Sequence, residues 1–169
     1  TVIHVTHDQT EALTLADRIA VVRNGRLVTK GTVEHVYNNP KDEYAARFLG
    51  YQNIYDISSV EEGNSYSKIM VGNVTLRASN TPEEDQKKIA IHGSEIILHR
   101  KTPMNTDDNI YQAEVTRIVT TGPTAYITVD FGLPLILTMG RRPYKATKLK
   151  VREKLWVQFS TDAVKPIRA

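Results

Sequence analysis

The sequence predicts a mainly β fold: a small β-barrel domain preceded by a shorter α/β segment. Three observations carry this expectation. Residues 1–50 combine one short apolar run, helical spacings and an Asn24-Gly25 hairpin signal. Beyond Gly50 the helical spacing gives way to short alternating runs separated by Gly, Asn, Ser and Pro, the pattern of a small barrel or sandwich. The order of those runs then recurs in the last third of the chain. The domain boundary is placed near residues 50–53, giving an N-terminal segment of 1–50 and a barrel domain of 51–169.

A chain of 169 residues holds one domain or one domain plus a fragment. Apolar residues make up 40% and charged residues 24%, ordinary values for a globular protein. The absence of cysteine excludes disulfides and thiolate metal sites. No apolar run approaches the roughly 18 residues of a membrane span, and no basic-then-apolar leader opens the chain. The net charge is only +3, yet Arg141, Arg142, Lys145, Lys148, Lys150, Arg152 and Lys154 share their stretch with a single carboxylate, Glu153.

The elements follow in order. Val2, Ile3 and Val5 form a short buried strand leading to His7. Asp8 caps a helix, and Glu11 three positions on completes a capping-box pattern. Ala12, Leu15, Ala16 and Ile19 fall on one helical face. Ile19 to Val22 and Arg26 to Thr29 flank Asn24-Gly25 as the arms of a hairpin. A short helix begins after Gly31-Thr32 with Val33, Val36 and Tyr37 on its face, and ends at Pro40. A second helix carries Tyr44, Ala45, Phe48 and Leu49 and stops at Gly50. Because the chain opens in mid-strand at Thr1, the segment is expected to be the tail of something larger. A histidine at a strand mouth, one residue before a helix N-terminus, is also well placed to meet an anionic group.

In the second part, strands are expected over Ser67 to Val71, Lys88 to Ile91, Glu95 to Leu98 and Tyr126 to Val129. The repeat pairs Val71-Gly-Asn-Val-Thr-Leu76 with Asp130-Phe-Gly-Leu-Pro-Leu135. It pairs the polar link from Pro82 to Lys88 with the link from Pro143 to Lys148, and Ile89-Ala-Ile-His-Gly-Ser94 with Leu155-Trp-Val-Gln-Phe-Ser160. The two pseudo-repeats span about 51–100 and 109–169.

These residues resemble a known family. Val5-Thr6-His7-Asp8-Gln9-Thr10-Glu11-Ala12, Ala16-Asp17-Arg18-Ile19, Asn24-Gly25, Gly31 and Val36-Tyr37-Asn38-Asn39-Pro40 look like the last quarter of the nucleotide-binding domain of an ABC importer ATPase. The nearest relatives are the subunits serving maltose, spermidine, sulfate, or molybdate and tungstate, which carry a C-terminal regulatory domain. Ala46-Arg47-Phe48-Leu49-Gly50 sits where those subunits cross between domains. The later part is similar to that regulatory domain, an OB-type, TOBE/MOP-like barrel. Lys88-Ile-Ala-Ile-His-Gly-Ser-Glu95 falls at the family's Arg-Pro-Glu-like turn, and Gly122, Val129, Gly132 and Ala163-Val164 also fit.

The resemblance implies a role for one residue. In the family, the histidine at the position of His7 touches the γ-phosphate of ATP and helps hold the attacking water and the catalytic carboxylate. Imidazole chemistry suits this, since phosphoryl transfer depends on positioning and electrostatics. Gly-x-x-x-x-Gly-Lys-Ser/Thr occurs nowhere in the chain, so ATP and Mg belong to the parent subunit and the segment alone is expected to be inactive. Transmembrane permease subunits and a second ATPase subunit are the implied partners, with a homodimer through the barrels and no nucleic acid. The implied location is cytoplasmic, peripheral to the inner face of the membrane.

Residues 51–55 and 129–135 lean toward the molybdate/tungstate subfamily, whose barrels bind oxyanions. Pro143 stands where that subfamily has a hydroxyl, however, and Ser160 where it has a Lys. His4, His35, His92 and His99 show no ligand spacing, and no metal is expected. Glu83-Glu-Asp85 followed by Lys87-Lys88 reads as a solvated helix face. The basic run over 141–154 reads as a solvent face, a docking surface, or an anion or nucleic-acid site beside Tyr144 and Trp156. A stand-alone OB-fold module binding single-stranded nucleic acid or a small oxyanion is the alternative function.

Overall fold

The computed structural model of the chain describes residues 2–104 and 107–169; Thr1, the start of the expected opening strand, lies outside them. No strand forms over residues 2–6, and Val2, Ile3 and Val5 are 92%, 87% and 91% exposed. A strand needs a ladder partner and a covered face, and no described segment supplies either here. Helix α1 (Gln9–Leu15) follows, capped by Asp8, whose Oδ1 accepts from the Glu11 N–H at 2.9 Å. Only half of the capping box is present. The Glu11 carboxylate accepts from the Thr6 hydroxyl at 2.7 Å, and the Asp8 N–H donates to Thr6 Oγ1 at 3.0 Å. The helix also stops short of Ile19, and its inward contact is Leu13, while Leu15 is exposed.

Strands β1 (Arg18–Arg23) and β2 (Arg26–Thr32) form the hairpin expected at Asn24-Gly25. Both turn residues have positive φ, 50° and 73°, as a type I′ turn requires. Helix α2 (Val33–Asn38) is capped by Thr32 and α3 (Glu43–Phe48) by Asp42. Helix α3 ends in a Schellman-type stop: Gly50 takes φ 86°, and the Tyr51 N–H donates back to the Ala46 carbonyl at 3.0 Å.

The barrel follows as β3 (Asn53–Asp56), β4 (Ser59–Glu61), β5 (Ser67–Val71), β6 (Val74–Ala78), β7 (Lys88–Ile91) and β8 (Ile97–His99). It continues with β9 (Asn109–Thr121), β10 (Thr124–Asp130), β11 (Pro134–Gly140), helix α4 (Arg141–Thr147), β12 (Lys154–Phe159) and β13 (Lys165–Ile167). Three-residue 3-10 turns, Gly93–Glu95 and Thr161–Ala163, follow β7 and β12. Strand outweighs helix, and alternate residues of β5, β6, β10 and β12 point inward, the period-2 pattern read from the sequence.

Among the described residues four sheets result, ordered β1-β2, β11-β10-β9-β12-β8, β13-β7-β3 and β4-β5-β6. The last strands are exchanged: β8 of the first half pairs with β12, and β13 of the second half pairs with β7. Ile69, Leu76, Ile89, Ile127, Leu137, Val157 and Phe159 share the main core between both halves. A smaller core joins Val21, Val36, Ala46, Leu49 and Tyr51 to Ala90 of β7 and Ile167 of β13. The N-terminal helices and hairpin therefore lean on the barrel through the sheet that receives the exchanged C-terminal strand.

Two further expectations change. The run from Glu95 to Leu98 begins as a 3-10 turn and becomes strand only at Ile97, because the capping of that turn by His92 shortens it. Residues 83–88 form no helix. Glu84 and Asp85 make a turn, and Lys88 is held in β7 by pairing with Asp56 of β3 and Ile167 of β13. Its Nζ reaches Asp56 at 2.8 Å and Glu43 of α3 at 3.3 Å, an ion-pair bridge between barrel and helices.

Candidate functional site

His7 stands in the turn just before the Asp8 cap and is exposed. The local order comes from its neighbours: Thr6 and Asp8 fix the backbone entry to α1, and Glu11 draws in Thr6 and His4, the latter at 3.4 Å. Hydrogen bonds from Thr6 and His4 lower the Glu11 pKa. The imidazole of His7 therefore faces outward from a short capped helix, available to a group outside the chain.

The inter-half contacts are built from a tripeptide that occurs twice, Asn53-Ile54-Tyr55 and Asn109-Ile110-Tyr111. The buried Asn53 side chain brackets Ile136 of β11, accepting its N–H at 2.6 Å and donating to its carbonyl at 2.7 Å. Asn109 brackets Arg77 of β6 in the same way, at 2.7 and 2.8 Å. The hydroxyls of Tyr55 and Tyr111 donate to the carbonyls of Pro134 and Thr75. Burial raises both phenols, that of Tyr111 to about 12. The literal repetition of Asn-Ile-Tyr is the sequence signal for this pairing, which residues 51–55 taken alone do not disclose.

A polar junction joins the N-terminal helices to the barrel. His92, at the end of β7, lies edge-on to the Tyr51 ring, with centroids 5.2 Å apart, and 5.4 Å from the ring of Tyr37. Its Nδ1 accepts from the Ser94 N–H at 3.2 Å, capping the 3-10 turn, and its Nε2 lies 3.1 Å from the Tyr37 hydroxyl. The Tyr51 hydroxyl donates to the Tyr37 carbonyl at 2.9 Å, and Gln52 Oε1 accepts from the Gly93 N–H at 3.1 Å. Burial lowers the pKa of His92, favouring the neutral ring, while Glu95 pulls weakly the other way.

Two open depressions carry charge. One, of about 410 Å³, runs past Tyr66, Lys68, Thr75, Arg77 and the second Asn-Ile-Tyr motif, with the Arg77 guanidinium 4.8 Å above the Tyr66 ring centroid. The other, of about 560 Å³, lies between Arg100 and the loop after α4. Among the described residues, no group of three or more His, Cys, Asp or Glu could hold a metal ion. No helix there is long and apolar enough to cross a membrane.

No protein-family model matches the sequence. Individual proteins do. The chain is 34% identical over 166 residues to the molybdate/tungstate import ATP-binding protein WtpC of Pyrococcus abyssi, covering 98% of this chain and 46% of that protein. It is 31% identical over 169 residues to WtpC of Pyrococcus horikoshii, again covering 46% of the relative. The chain is homologous to the C-terminal part of ABC-importer ATP-binding subunits. A further relative, at 30% identity over 134 residues, is the putative 2-aminoethylphosphonate import ATP-binding protein PhnT of Salmonella typhimurium, of which it covers 36%. The chain thus spans about half the length of the curated relatives it matches.

The barrel also has a counterpart among solved structures. The cytoplasmic molybdate-binding protein ModG, crystallised with molybdate bound, superposes with a TM-score of 0.53 over 68% of this chain and 94% of its own length. At 17% identity that likeness speaks for the OB/TOBE-type fold alone. In this barrel, Pro143 lies in the first turn of α4. The Ser160 hydroxyl accepts from the Ala163 N–H at 3.1 Å, as the cap of the second 3-10 turn. Pro143 has no N–H to offer an anion, whereas the Ser160 hydroxyl, an acceptor in this cap, keeps its own O–H as a donor.

Proposed function

We propose that the chain is the C-terminal, regulatory segment of the ATP-hydrolysing subunit of an ABC importer. Residues 1–50 then close the ATPase domain, and 51–169 form the regulatory barrel. The alignment of 98% of the chain with less than half of a WtpC protein carries this reading. The outward-facing His7, one residue before a helix N-terminus, is the group that would meet the γ-phosphate in the whole subunit. Of the parts that hold ATP and Mg, this chain has only that histidine, so no hydrolytic step is assigned to the chain itself.

In the whole subunit, ATP hydrolysis would drive uptake of a solute through transmembrane permease partners at the cytoplasmic face of the membrane. Molybdate or tungstate is the solute best supported, because WtpC is named for them; the phosphonate relative keeps the wider class of oxyanions in view, and a sugar remains the more distant choice. A second copy would pair with it through the barrel. Sedimentation equilibrium of the chain with a titration of ATP tests this: a dimer without turnover supports it, and measurable hydrolysis by the pure chain contradicts it.

The groove holding Lys68, Arg77 and the Tyr66 ring favours one alternative, a stand-alone barrel binding single-stranded nucleic acid or an oxyanion. Salt-dependent binding of oligothymidylate, lost in Arg77→Ala, is the outcome that would favour it.

A further inference from the structure

Between residues 141 and 154 the chain carries seven cations and one carboxylate, and the fold gathers part of this run around a shallow, open depression. Lys148, Lys150, Val151, Arg152, Arg100 and Glu153 line an open basin of about 560 Å³. The single carboxylate is already engaged. Glu153 Oε1 accepts from Arg100 Nε at 2.8 Å, and its Oε2 accepts from the Lys150 N–H at 3.0 Å. Those two contacts hold the Glu153 carboxyl below the usual carboxylate range. Arg100 is fixed in turn, donating from Nη2 to the Thr147 carbonyl at 2.6 Å. Lys148, Lys150 and Arg152 are exposed, and none of them has a carboxylate within ion-pair distance among the described residues.

The loop presents these groups in a set shape. The Arg152 N–H donates to the Val115 carbonyl at 2.7 Å, and the Val115 N–H donates to the Glu153 carbonyl at 2.9 Å, which ties the loop to β9. Lys148 and Arg152 both adopt left-handed backbone, φ 53° and 70°, a conformation costly for residues with a Cβ. Between the flanking cations Val151 is 52% exposed, an aliphatic side chain at the middle of a cationic surface. Bases would need a ring to stack on, and none lines the basin: Tyr144 packs against the core and Trp156 is half-buried in β12.

We infer that the basin formed by Lys148, Lys150, Val151 and Arg152 is a docking site for an acidic segment of a partner protein, one whose carboxylates flank an aliphatic side chain. Preset cations raise the rate and selectivity of such an encounter, and burial of Val151 distinguishes this segment from any other polyanion.

The test is fluorescence anisotropy of the whole chain with three labelled probes of equal charge at physiological ionic strength. They are a peptide alternating Glu and Leu, an all-Glu peptide, and an oligothymidylate. The Glu-Leu peptide is expected to saturate and to bind about five times more tightly than either other probe. Lys150→Glu with Arg152→Glu should weaken it by about tenfold or more, and Val151→Ser by about threefold. Should the double reversal fail to fold, Lys150→Gln with Arg152→Gln serves in its place. Equal or tighter binding of the oligothymidylate, an affinity untouched by these substitutions, or no saturable binding would each overturn the inference.

Discussion

Asn53 and Asn109 hold the two halves of the barrel together by the same contact made in opposite directions. Asn53, opening the first half, brackets the backbone of Ile136 in the second; Asn109, opening the second half, brackets Arg77 in the first. Each side chain satisfies one N–H and one carbonyl of the opposite half away from water, and Asn53 also donates to the Ile91 carbonyl at 3.1 Å. Replacing either by Ala strands both backbone groups and is expected to cost about 2–4 kcal/mol in urea denaturation. Aspartate, which lacks the amide donors, should rescue little. A loss below about 1 kcal/mol would mean that the brackets are incidental.

The His92 junction gives the protein a pH response on its acid side. Burial lowers the folded-state pKa below the ordinary 6.5, so the folded chain binds fewer protons than the unfolded one in that window. Stability from the neutral ring is complete above about pH 6.5 and declines as pH falls toward the folded-state pKa. The charged and titratable groups around the ring are Tyr37, Tyr51 and Glu95, and the two phenols are raised by burial, staying neutral throughout. Thermal melts between pH 7 and 5 should show a falling midpoint, with a shallower slope in His92→Asn, which retains a cap for Ser94. Identical slopes would contradict this assignment.

Packing should separate the described core from the N-terminal tail. Phe159 and Leu76 are fully buried in the main core, and their Ala variants are expected to lose about 3–5 and 2–5 kcal/mol respectively. Val5, 91% exposed, should change stability by no more than about 0.5 kcal/mol when replaced by Ala. Chemical denaturation of the three variants checks the contrast.

Two glycines should respond differently to a methyl group. A Cβ on Gly93 would meet Gln52 Oε1 at 2.9 Å, the Ile136 carbonyl at 3.0 Å and the Thr138 N–H nitrogen at 3.2 Å, so β11 itself would have to move. At Gly25 a Cβ meets nothing within 4 Å, and only the positive φ of 73° resists it. Gly93→Ala is expected to cost about 1–3 kcal/mol through overpacking, and Gly25→Ala about 1–2 through backbone strain. The chemical shifts of Ile136 and Thr138 should move only in the first.

Much of this architecture is legible in the sequence because local chemistry and tertiary packing agree. Asn24-Gly25 has the backbone freedom of its turn, Asp42 and Thr32 have the side chains of caps, and Ser67 to Val71 alternates with the period of a half-buried strand. Where the two diverge, reading fails. Val2, Ile3 and Val5 have strand composition, but a strand is a pairing and nothing among the described residues pairs with them. Residues 83–88 have the charges of a helix face, yet Lys88 is claimed by β3 and β13. The exchange of β8 and β13 between halves is invisible in any local window, as is the convergence of Tyr37, Tyr51 and His92 from separate elements. The role proposed for His7 rests on its motif, while the paired Asn-Ile-Tyr contacts, equally visible as letters, acquire meaning only from what they touch.

The most direct measurement is ATP hydrolysis by a chimera that joins the part of Pyrococcus abyssi WtpC lying before the aligned region to this chain, with His7 intact and as His7→Ala. Both forms should be soluble, dimeric and equally stable, since His7 is exposed. The expected result is turnover by the first and a loss of about 100-fold or more in the second, the scale at which positioning groups act on phosphoryl transfer. A folded, dimeric chimera that hydrolyses ATP at the same rate with and without His7 would contradict the account.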